Sequence, residues 1–497
     1  MLATIKELSM PRVVIGALGF LVLVAFGASF LGGLDRSVFS TRAMLGSLAV
    51  LLATSVAMSL VLGRVFRSYP SRSSALITGL ILWFLYWPQQ SPNGLAWLAL
   101  IAALAQASKY LIAWRGRHIV NPVAAGVLLS VAVGAGLGVE DFPRTSWWVA
   151  SEAMFWPVLL ATAVVLWRTG RAQLWLYFLA AAGTWTVMAL IDINTLVGID
   201  ITVFDAIQLA FFAYPIVFFA GFMLTEPLTL PSRNVPQVVA VFVAAAVATI
   251  GSVGGYIGFE VPGFILDSAW EWALVATGVI AFATRQSSAV VVLRERLAIE
   301  GDAIAYRWEL KRPITFTPGQ YVELDIAHSK PDRRGRRRAF SPVSVPGEPL
   351  EIATRHPEPA SSYKRALASM QPGDRARVTS VHGGFVWPKR GPILLIGAGI
   401  GVTPFISQLA QEPERDVVVI VGVREEGLPY LERLRELAPD VHALPIDELT
   451  VDTIRELVPD LAARHAFISG RPDFVAEISA GLYRKAKKIH TDYFWGS

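Results

Sequence analysis

The hydrophobic and polar positions divide the chain into two regions that meet near residue 285. Before that point, long apolar runs alternate with short polar loops, and after it charged residues are frequent. A helix needs about twenty apolar residues to cross a membrane, and the first region contains about ten runs that approach this length. We therefore predict a polytopic α-helical membrane domain. The predicted spans are 13–34, 43–63, 75–87, 94–113, 122–139, 154–168, 172–191, 204–224, 235–255 and 268–284.

The polar loops of the first region alternate in charge. Arginines concentrate in every second loop, at Arg64, Arg67, Arg72, Arg115, Arg117, Arg168, Arg171, Arg233 and Arg285. The intervening loops carry Asp35, Glu140, Asp141, Asp192, Asp200, Glu260 and Asp267, with Arg36, Arg42 and Arg144 against the trend. By the positive-inside rule, both termini and the second region are expected on the cytoplasmic side of the cell inner membrane. The first apolar run is interpreted as a retained helix rather than a signal peptide, because it is long and further spans follow it.

Composition agrees with this division. The chain has 497 residues, of which 54% are hydrophobic and 17% are charged. A soluble protein usually carries about a quarter charged residues, so the deficit favours a lipid bilayer as the partner of the first region. The net charge of +5 comes with arginines beside apolar runs, so no nucleic-acid partner is expected. The absence of cysteine excludes disulfides, cysteine-ligated iron–sulfur clusters and cysteine-rich zinc sites, and no metal site is predicted.

The second region changes its pattern near residue 389. Between Leu297 and Val386, the short alternating runs YRWEL, YVELDI, LEIAT and RARVTSV are separated by glycine and proline, which predicts a small β-barrel. From Gly391 onward, buried strand-like runs alternate with helical segments, which predicts a doubly wound α/β domain. The predicted domains are therefore 1–290, 291–388 and 389–497.

A glycine-rich turn follows the first strand of the predicted α/β domain. The stretch PILLIGAGIGVTPFIS combines an apolar run with Gly397, Gly399 and Gly401, followed by Thr403 and Pro404. Glycines allow the backbone to approach a phosphate, and the N-terminus of the next helix directs N–H groups toward it. Proline is compatible with the first turn of that helix. The spacing alone fits either a nucleotide site or an ordinary strand-to-helix turn.

Four further motifs in the second region support the nucleotide interpretation. They are PGQYVELDI (318–326), RAFSPVS (338–344), ISGRPDF (468–474) and DYFWGS (492–497). In this order and spacing, and together with the glycine-rich turn, they resemble the ferredoxin–NADP reductase family. The resemblance implies an FAD-binding β-barrel, a pyridine-nucleotide domain and hydride transfer from NAD(P)H to FAD. Ser469 stands where many members carry cysteine, which does not alter this expectation.

The resemblance also implies roles for individual residues. Arg338 would pair with an FAD phosphate, Phe340 would lie against the isoalloxazine ring, and Ser341 would lie near N5, where hydride arrives. Ser361 and Ser362 could donate to the FAD pyrophosphate or simply cap a helix. The other expected cofactor contacts are Ala339, Ser344, Gly397, Gly399, Gly401, Thr403, Pro404, Gly470 and Trp495, and Phe494 is expected to act with Ser341 at the flavin.

Two polar stretches interrupt the apolar pattern of the first region. They contain Lys109, Tyr110, His118, Ile119, Asn121 and Pro122, and then Phe222, Met223, Thr225, Glu226 and Pro227. These stretches resemble the K-Y…H-I-x-N-P and F-M-x-T-[DE]-P motifs of the NqrB/RnfD family of membrane flavin subunits. The resemblance implies a flavin or quinone site that includes His118, Asn121, Thr225 and Glu226. Alternatively, Asn-Pro and Glu-Pro only mark turns and helix starts.

The cofactor of the first region is not fixed by this resemblance. The family attaches FMN covalently through threonine in an S-G-A-T stretch, and this sequence lacks that stretch. A non-covalent FMN or riboflavin, or no membrane flavin, stays open. The preference of the second region for NADH or NADPH is also open, because Arg424 suits a 2′-phosphate whereas Glu425 and Glu426 would repel it.

These expectations combine into a membrane flavoprotein oxidoreductase. Electrons would pass from NAD(P)H through FAD to a membrane-embedded flavin or to quinone. A haem-dependent ferric or oxygen reductase is a first alternative, which the sequence opposes because only His118 precedes residue 290 and bis-histidine haem needs two ligands. A redox-driven ion or small-molecule transporter is a second alternative, which is not favoured because Asp192 and Glu226 lie at the ends of apolar segments.

Overall fold

The chain folds into two compact units, Met1–Arg285 and Gln286–Ser497. The computed structural model describes residues 10–66, 72–114, 117–139, 142–196, 198, 200–226, 229–231, 234–251, 258, 260–284, 289–329, 331–332, 336–356 and 358–493. The first strand of the second unit begins at Ala289, so the boundary expected at residue 290 falls inside that strand.

The N-terminal unit is helical, and each of the predicted apolar spans contains helix. Its helices are α1 (Met10–Leu31), α2 (Thr41–Val65), α3 (Arg72–Leu85), α4 (Pro92–Leu111), α5 (Pro122–Gly136), α6 (Glu152–Thr169), α7 (Ala172–Leu196), α8 (Val203–Ala213), α9 (Ile216–Phe218), α10 (Asn234–Ala248), α11 (Gly263–Leu266) and α12 (Ala269–Ala283). A π-helix, Phe219–Leu224, continues α9. Two antiparallel strands of two residues each, β1 (Ala113–Trp114) and β2 (Arg117–His118), lie between α4 and α5.

Only some of these helices are long enough to cross a bilayer on their own. Among the described residues, four helices have sufficient length and apolar character, namely α1, α2, α4 and the Ala172–Asp192 part of α7. A fifth candidate joins α8 to Ile216–Leu224 with a bend of 56°. The helices α3, α5, α10 and α12 are apolar but shorter. Membrane spanning and topology therefore stay predictions, although the helical class of the region is clear.

The interior of the N-terminal unit is aromatic, with hydroxyl groups bonded to nearby backbone. Trp83 packs edge-on against Trp148 at a centroid distance of 5.0 Å, and the Trp148 indole donates to the Trp83 carbonyl at 2.8 Å. Buried Thr186 donates to the carbonyl of Ala182 at 2.8 Å, one helical turn earlier. Such local bonds satisfy hydroxyl groups where water is excluded.

The C-terminal unit contains two sheets. The strands of the first are β3 (Ala289–Ile299), β4 (Ala303–Leu310), β5 (Tyr321–Asp325), β6 (Arg337–Phe340), β7 (Leu350–Arg355) and β8 (Arg375–His382), and helix α13 (Ser362–Ser369) precedes β8. They form an antiparallel sheet of order β6-β5-β8-β3-β4-β7. The strands of the second are β9 (Ile393–Ala398), β10 (Val417–Val423), β11 (Asp440–Pro445), β12 (His465–Gly470) and β13 (Lys488–Tyr493). They form a parallel sheet of order β11-β10-β9-β12-β13.

The parallel sheet explains the uninterrupted apolar runs of the sequence. Its helices are α14 (Thr403–Gln411), α15 (Leu431–Leu437), α16 (Val451–Leu457) and α17 (Pro472–Leu482). Leu395 faces a core that contains residues of α14 and α15, whereas its neighbour Ile396 faces a core with residues of α16 and α17. Both faces are covered, so successive residues of a strand must all be apolar. The predicted doubly wound domain is confirmed. The predicted small β-barrel is confirmed only as an antiparallel sheet, because its end strands β6 and β7 do not pair among the described residues.

Direct contacts join the two sheets. The Gln408 amide, on α14, donates to the Phe385 carbonyl at 2.6 Å. Ser407 Oγ donates to the Ser344 carbonyl at 2.9 Å, and Tyr430 Oη donates to Glu351 at 2.7 Å. The site residues of the two predicted subdomains are therefore held in one unit.

Candidate functional sites

The glycine-rich turn lies where strand β9 meets helix α14. Gly399 has φ +57° and no atom within 4 Å of an added Cβ, so this face of the turn is open. Gly401 approaches the carboxyl end of β12 so closely that a Cβ would lie 2.6 Å from the Ser469 carbonyl oxygen. A short 3-10 turn, Gly399–Val402, precedes Thr403 and Pro404, which begin α14.

The expected cofactor contacts in this stretch do not all face the same space. A Cβ at Gly397 would meet the Phe405 ring at 2.6 Å, so this glycine serves packing within the domain. Thr403 is buried, and its hydroxyl donates to the Ile400 carbonyl at 3.1 Å. Of the predicted residues, Gly399, Gly401 and Gly470 line an adjoining pocket.

That pocket, of about 410 Å³, lies at the carboxyl ends of β9, β10 and β12. This is the edge where doubly wound sheets bind their ligands. Arg355, Arg424 and Arg471 contribute guanidinium groups to its wall. Arg471 also pairs with Asp473 at 2.7 Å, and Arg355 pairs with Asp302 at 3.7 Å. Backbone N–H groups and several guanidinium groups form a donor set suited to a pyrophosphate.

A second anion-binding arrangement surrounds Arg338 on β6. Its guanidinium binds both carboxylate oxygens of Asp332 at 2.8 Å and lies over the Tyr363 ring, 4.9 Å from the centroid. The backbone N–H of Asp332 donates to Ser362 Oγ at 2.8 Å. Ser361 accepts from Lys364 N at 3.2 Å and caps α13, as its alternative interpretation expects. Arg338 therefore binds the side chain of Asp332, and Ser362 binds its backbone.

The residues after Arg338 take different positions. Ala339 is exposed on β6, opposite Glu323 of β5. Phe340 is buried in the core of the antiparallel sheet, with its ring 6.0 Å from that of Tyr363, so most of its surface packs against protein. Ser344 accepts from Glu351 N at 3.0 Å and thereby fixes the strand that follows.

Ser341 meets a carboxyl group that the sequence analysis did not single out. Its hydroxyl lies 3.5 Å from Asp492 Oδ2, on the last strand. Burial raises the pKa of the Asp492 carboxyl to about 6, while hydrogen bonds from Tyr493 N and Ser341 act in the opposite direction. The sequence analysis concentrated on the aromatic residues that follow Asp492. Phe494 and Trp495 lie outside the described residues, whereas Tyr493 ends β13 with 40% of its surface exposed.

In the N-terminal unit, the predicted residues form what we call the amide–carboxylate cluster: His118, Asn121, Thr225 and Glu226. The Asn121 side-chain amide donates to Glu226 Oε2 at 3.0 Å, and His118 Nε2 lies 3.9 Å from Glu226 Oε1. Asn121 Oδ1 also accepts from Val123 N at 2.9 Å and caps α5. The buried Thr225 hydroxyl donates to the Gly221 carbonyl at 2.9 Å.

Basic side chains adjoin this cluster. Arg171 Nη1 donates to the Thr225 carbonyl at 2.8 Å, although the sequence analysis used Arg171 only for topology. Lys109 Nζ donates to Ser74 Oγ and to Thr78 Oγ1, each at 2.9 Å. The π-helix Phe219–Leu224 ends directly before Thr225. Short π-helical turns are frequent at functional sites, since they change the direction of the following residues.

Curated proteins that are similar in sequence to this chain include two flavohemoproteins, and no family model matches it. Flavohemoprotein A of Dictyostelium discoideum is 25% identical over 198 residues, which are 34% of this chain and 50% of the relative. The flavohemoprotein of Bacillus subtilis is 29% identical over 237 residues, with 41% of this chain and 58% of the relative covered. The chain thus spans about half the length of the curated relatives it matches. These similarities support a flavohemoprotein-like module of the ferredoxin–NADP reductase type.

Solved structures that match cover a similar share of the chain. An Amycolatopsis cytochrome P450 reductase matches with TM-score 0.37 and 26% identity, over 42% of this chain and 70% of its own. A ferredoxin–NADP+ reductase of Plasmodium falciparum matches with TM-score 0.36 and 15% identity, over 42% of this chain and 96% of its own.

Proposed function

We propose that the chain is a membrane-bound flavoprotein oxidoreductase that passes electrons from NAD(P)H through FAD to a flavin or quinone in the N-terminal unit. The observation that carries this proposal is the pairing, within one unit, of two anion-binding arrangements, one around Arg338 and one at the glycine-rich turn. A reductase that binds two phosphate-containing molecules needs both. The similarity to flavohemoproteins supports the same class of chemistry.

In this proposal, Arg338 and Ser362 hold the FAD pyrophosphate. Arg338 fits because its Nη2 already binds both oxygens of a carboxylate, as it would bind a phosphate oxygen. Ser362 fits because its hydroxyl accepts from the backbone N–H of the same aspartate and can donate to a phosphate there. The flavin, when bound, separates a two-electron donor into one-electron steps. Ser341 donates its hydroxyl to Asp492, whose pKa is raised to about 6 by burial, so this carboxylate is mainly ionised at pH 7 and accepts the hydrogen bond. The pocket beside Gly399 would hold the NAD(P)H pyrophosphate.

The amide–carboxylate cluster is proposed as the acceptor site. Asn121 and Glu226 come from segments far apart in sequence and are joined by a hydrogen bond, and Arg171 bonds to the carbonyl of the adjacent Thr225. Amide, hydroxyl and guanidinium groups can bind the polar edge of a flavin or a quinone ring. The similarity to the NqrB/RnfD motifs supports this assignment. A non-covalent FMN or riboflavin, or quinone itself, would be the occupant.

The FAD assignment is tested by Arg338→Ala, with Arg337→Ala as the matched control. Both arginines lie on β6, but Arg337 faces Asp325 at 3.8 Å. Because Arg338 would lose a charge-assisted phosphate contact, we expect about a tenfold or greater loss of FAD affinity for Arg338→Ala alone. FAD retained by the protein after dialysis at low flavin concentration measures this. Equal FAD content in both variants contradicts the assignment.

The acceptor site is tested with substitutions that distinguish the contact with Glu226 from the capping of α5. Asn121→Asp keeps a capping oxygen but places a second carboxylate against Glu226, whereas Asn121→Leu loses both functions. Thr225→Val is matched by Thr186→Val, since both hydroxyls are buried and donate to a carbonyl four residues earlier. We expect Asn121→Asp, Asn121→Leu and Thr225→Val to block electron delivery to quinone and to leave FAD reduction by NAD(P)H unchanged. Wild-type quinone reduction by all three folded variants excludes this site.

Localisation is proposed as the cell inner membrane, with the reductase unit and both termini cytoplasmic. Single cysteines report topology cleanly because the chain has no cysteine of its own. Cysteines at positions 115, 171 and 233 should react from the cytoplasmic side, and those at 141 and 200 from the opposite side. Labelling of a cysteine at position 141 from the cytoplasm alone would overturn the predicted helix count.

One observation favours a redox-driven ion transporter as the second candidate function. Glu271, on α12, is 1% exposed and accepts from the Trp147 indole at 3.2 Å. Its other carboxylate oxygen has no hydrogen-bond partner among the described residues. An ionisable group inside a membrane domain is expensive to bury and is typical of ion and proton pathways. The sequence analysis considered Asp192 and Glu226 but not this residue.

Glu271→Gln tests the transporter function directly. Sealed vesicles that contain the protein should lose NAD(P)H-driven uptake of protons or cations while NAD(P)H oxidation with a soluble acceptor continues. If neither wild type nor variant shows redox-driven uptake, the transporter candidate is excluded. A haem-dependent reductase gains no support, because His118 lies beside Glu226 and no other histidine precedes residue 290.

A further inference from the structure

The chain places one of its own carboxylates on the residues proposed to bind FAD phosphate. Asp332 binds the Arg338 guanidinium through both oxygens at 2.8 Å, and its backbone N–H donates to Ser362 Oγ at 2.8 Å. The pair is partly shielded, since the Arg338 side chain is 13% exposed and that of Asp332 is 28% exposed. Both oxygens contact the same nitrogen, Nη2, and a phosphate at this position would need the same N–H donors.

The guanidinium is held in place by contacts other than Asp332. Arg338 Nη1 donates to the Arg337 carbonyl at 2.7 Å, and the charged group lies 4.9 Å from the Tyr363 ring centroid. Tyr363 is itself buried, and its hydroxyl donates to the Leu324 carbonyl at 3.0 Å. The arginine therefore keeps its position when the carboxylate leaves, so an incoming phosphate can replace the carboxylate without rebuilding the site.

We propose that Asp332 is an internal competitor of the FAD phosphate for Arg338, so that FAD binds only as this carboxylate is displaced. The inference rests on the proposed function, because it assumes that FAD binds here. Its consequence is that the cofactor-free protein is stabilised by the Asp332 contact, and that this stabilisation opposes cofactor affinity. Removal of the competing anion should tighten FAD binding, which is opposite to the usual effect of deleting a residue at a binding site.

The test compares FAD affinity in wild type, Asp332→Asn and Asp332→Ala, each as the full chain freed of flavin. Asp332→Asn keeps the size and the backbone N–H contact but removes the charge. Asp325→Asn is the matched control, since this neighbouring carboxylate pairs with Arg336 at 3.3 Å and not with Arg338 among the described contacts. Quenching of FAD fluorescence on titration gives the dissociation constant. We expect both Asp332 variants to bind FAD about tenfold more tightly and the control to match wild type.

Two further readouts decide the interpretation. The thermal unfolding temperature of the flavin-free protein should fall in both Asp332 variants, while that of the FAD-loaded protein should be unchanged or higher. In an Arg338→Ala background, Asp332→Asn should no longer alter FAD affinity, because the shared partner is gone.

The outcomes separate this inference from the proposed function. If wild type binds FAD, Arg338→Ala weakens binding and the Asp332 variants bind as wild type or more weakly, the inference is wrong and the FAD assignment stands. If Arg338→Ala binds FAD as well as wild type does, the phosphate contact is misassigned and both fail. If wild type binds no FAD, the proposed function and the inference are both overturned.

Discussion

The two candidate sites differ in how far their polar groups already serve the fold. In the C-terminal unit, Gly399 faces open space and Arg424 lines a pocket, so neither is explained by packing alone. In the N-terminal unit, Asn121 caps a helix with the same side chain that contacts Glu226, and the Thr225 hydroxyl bonds to its own helix. A residue with two roles gives ambiguous results when it is deleted, because folding and function fail together.

The difference follows from the environment of each unit. A water-exposed pocket can leave backbone N–H groups and guanidinium groups to solvent until a ligand arrives. In an apolar interior an unpaired polar group is costly, and both Asn121 and Thr225 already bond to protein there. The consequence is that the C-terminal site can be tested by simple deletion. The N-terminal site requires substitutions that keep one role and remove the other.

The largest effect is expected from Gly401→Val. A Cβ there would lie 2.6 Å from the Ser469 carbonyl oxygen and 2.8 Å from Gly470 Cα, and backbone atoms cannot give way as side chains can. We expect a loss of about 3 kcal/mol or more in unfolding free energy and loss of NAD(P)H binding, since overpacking of a tight contact is costly. Thermal unfolding and nucleotide titration measure the two effects.

Gly399→Ala is the matched control for that substitution. Space is open at this position, and the cost arises from φ +57°, which is worth about 1 kcal/mol for a residue other than glycine. A stability loss at Gly399 as large as at Gly401 would mean that the turn is limited by backbone conformation rather than by its approach to the carboxyl end of β12.

The next largest effect concerns Asp492 and pH. Burial raises its pKa from 3.8 to about 6, so the folded protein binds this proton more tightly than the unfolded chain does. The stability that this proton provides is complete below about pH 4 and is lost as pH rises through about 6, by at most about 3 kcal/mol. Asp492→Asn cannot ionise, so it should gain stability relative to wild type as pH rises from 4 to 7. A difference that stays constant over this range would show that Asp492 titrates normally.

A smaller effect is expected from loss of the helix cap at Asn121. Asn121→Ala removes the oxygen that accepts from Val123 N and should cost about 1 kcal/mol, whereas Asn121→Ser keeps a capping oxygen without placing a second carboxylate against Glu226 and should cost less. Chemical denaturation in detergent measures both. If the two variants are equally destabilised, the contact with Glu226 rather than the cap supports the fold, and the contrast between the two units weakens.

The smallest effect is expected at His490, because this half-buried ring is partly screened by solvent; it stacks on Phe467 with centroids 4.3 Å apart. Burial, together with Lys488 and His465, lowers the pKa of His490 from 6.5 to about 4. The unfolded chain therefore gains the proton first, and stability should fall as pH drops from about 6.5 toward 4. His490→Phe keeps the stacked ring but cannot titrate, so its acid-dependent loss should be slightly smaller. An unchanged pH profile would assign the acid sensitivity elsewhere.

Much of the architecture could be predicted because the spacing of hydrophobic residues along a short segment indicates whether it forms a strand or a helix and which faces are buried. The consecutive apolar residues 393–396 indicated a strand covered on both faces, and the structure confirms that Leu395 and Ile396 face different cores. The short alternating runs before residue 386 likewise indicated the antiparallel sheet. Hydrophobic patterns carry such information because burial of each side chain is decided by its own strand or helix.

The missed residues belong to contacts that no local pattern encodes. Arg355 reaches the nucleotide pocket from β7, outside the α/β domain that supplied the motif. Asp492 meets Ser341 across 151 positions of sequence. Glu271 lies within an otherwise apolar helix, where one carboxylate hardly changes the average hydropathy. A search for single charged residues inside apolar spans could have found Glu271, but nothing in the linear spacing pointed to the other two.

Helix α14 has a consequence for exchange of modules between reductases. Its N-terminus forms the glycine-rich turn, whereas Ser407 and Gln408, about one turn later, bond to Ser344 and Phe385 of the other subdomain. A Cβ at Gly319 would lie 2.0 Å from the Phe385 carbonyl oxygen, so the contact between the two subdomains leaves no room for a larger residue. In a chimera joined at residue 389, an unrelated helix would replace α14 and would have to pack against Ser344 and Phe385. Transfer of the nucleotide specificity of another reductase would therefore require Ser407, Gln408 and Phe385 to be exchanged as a set.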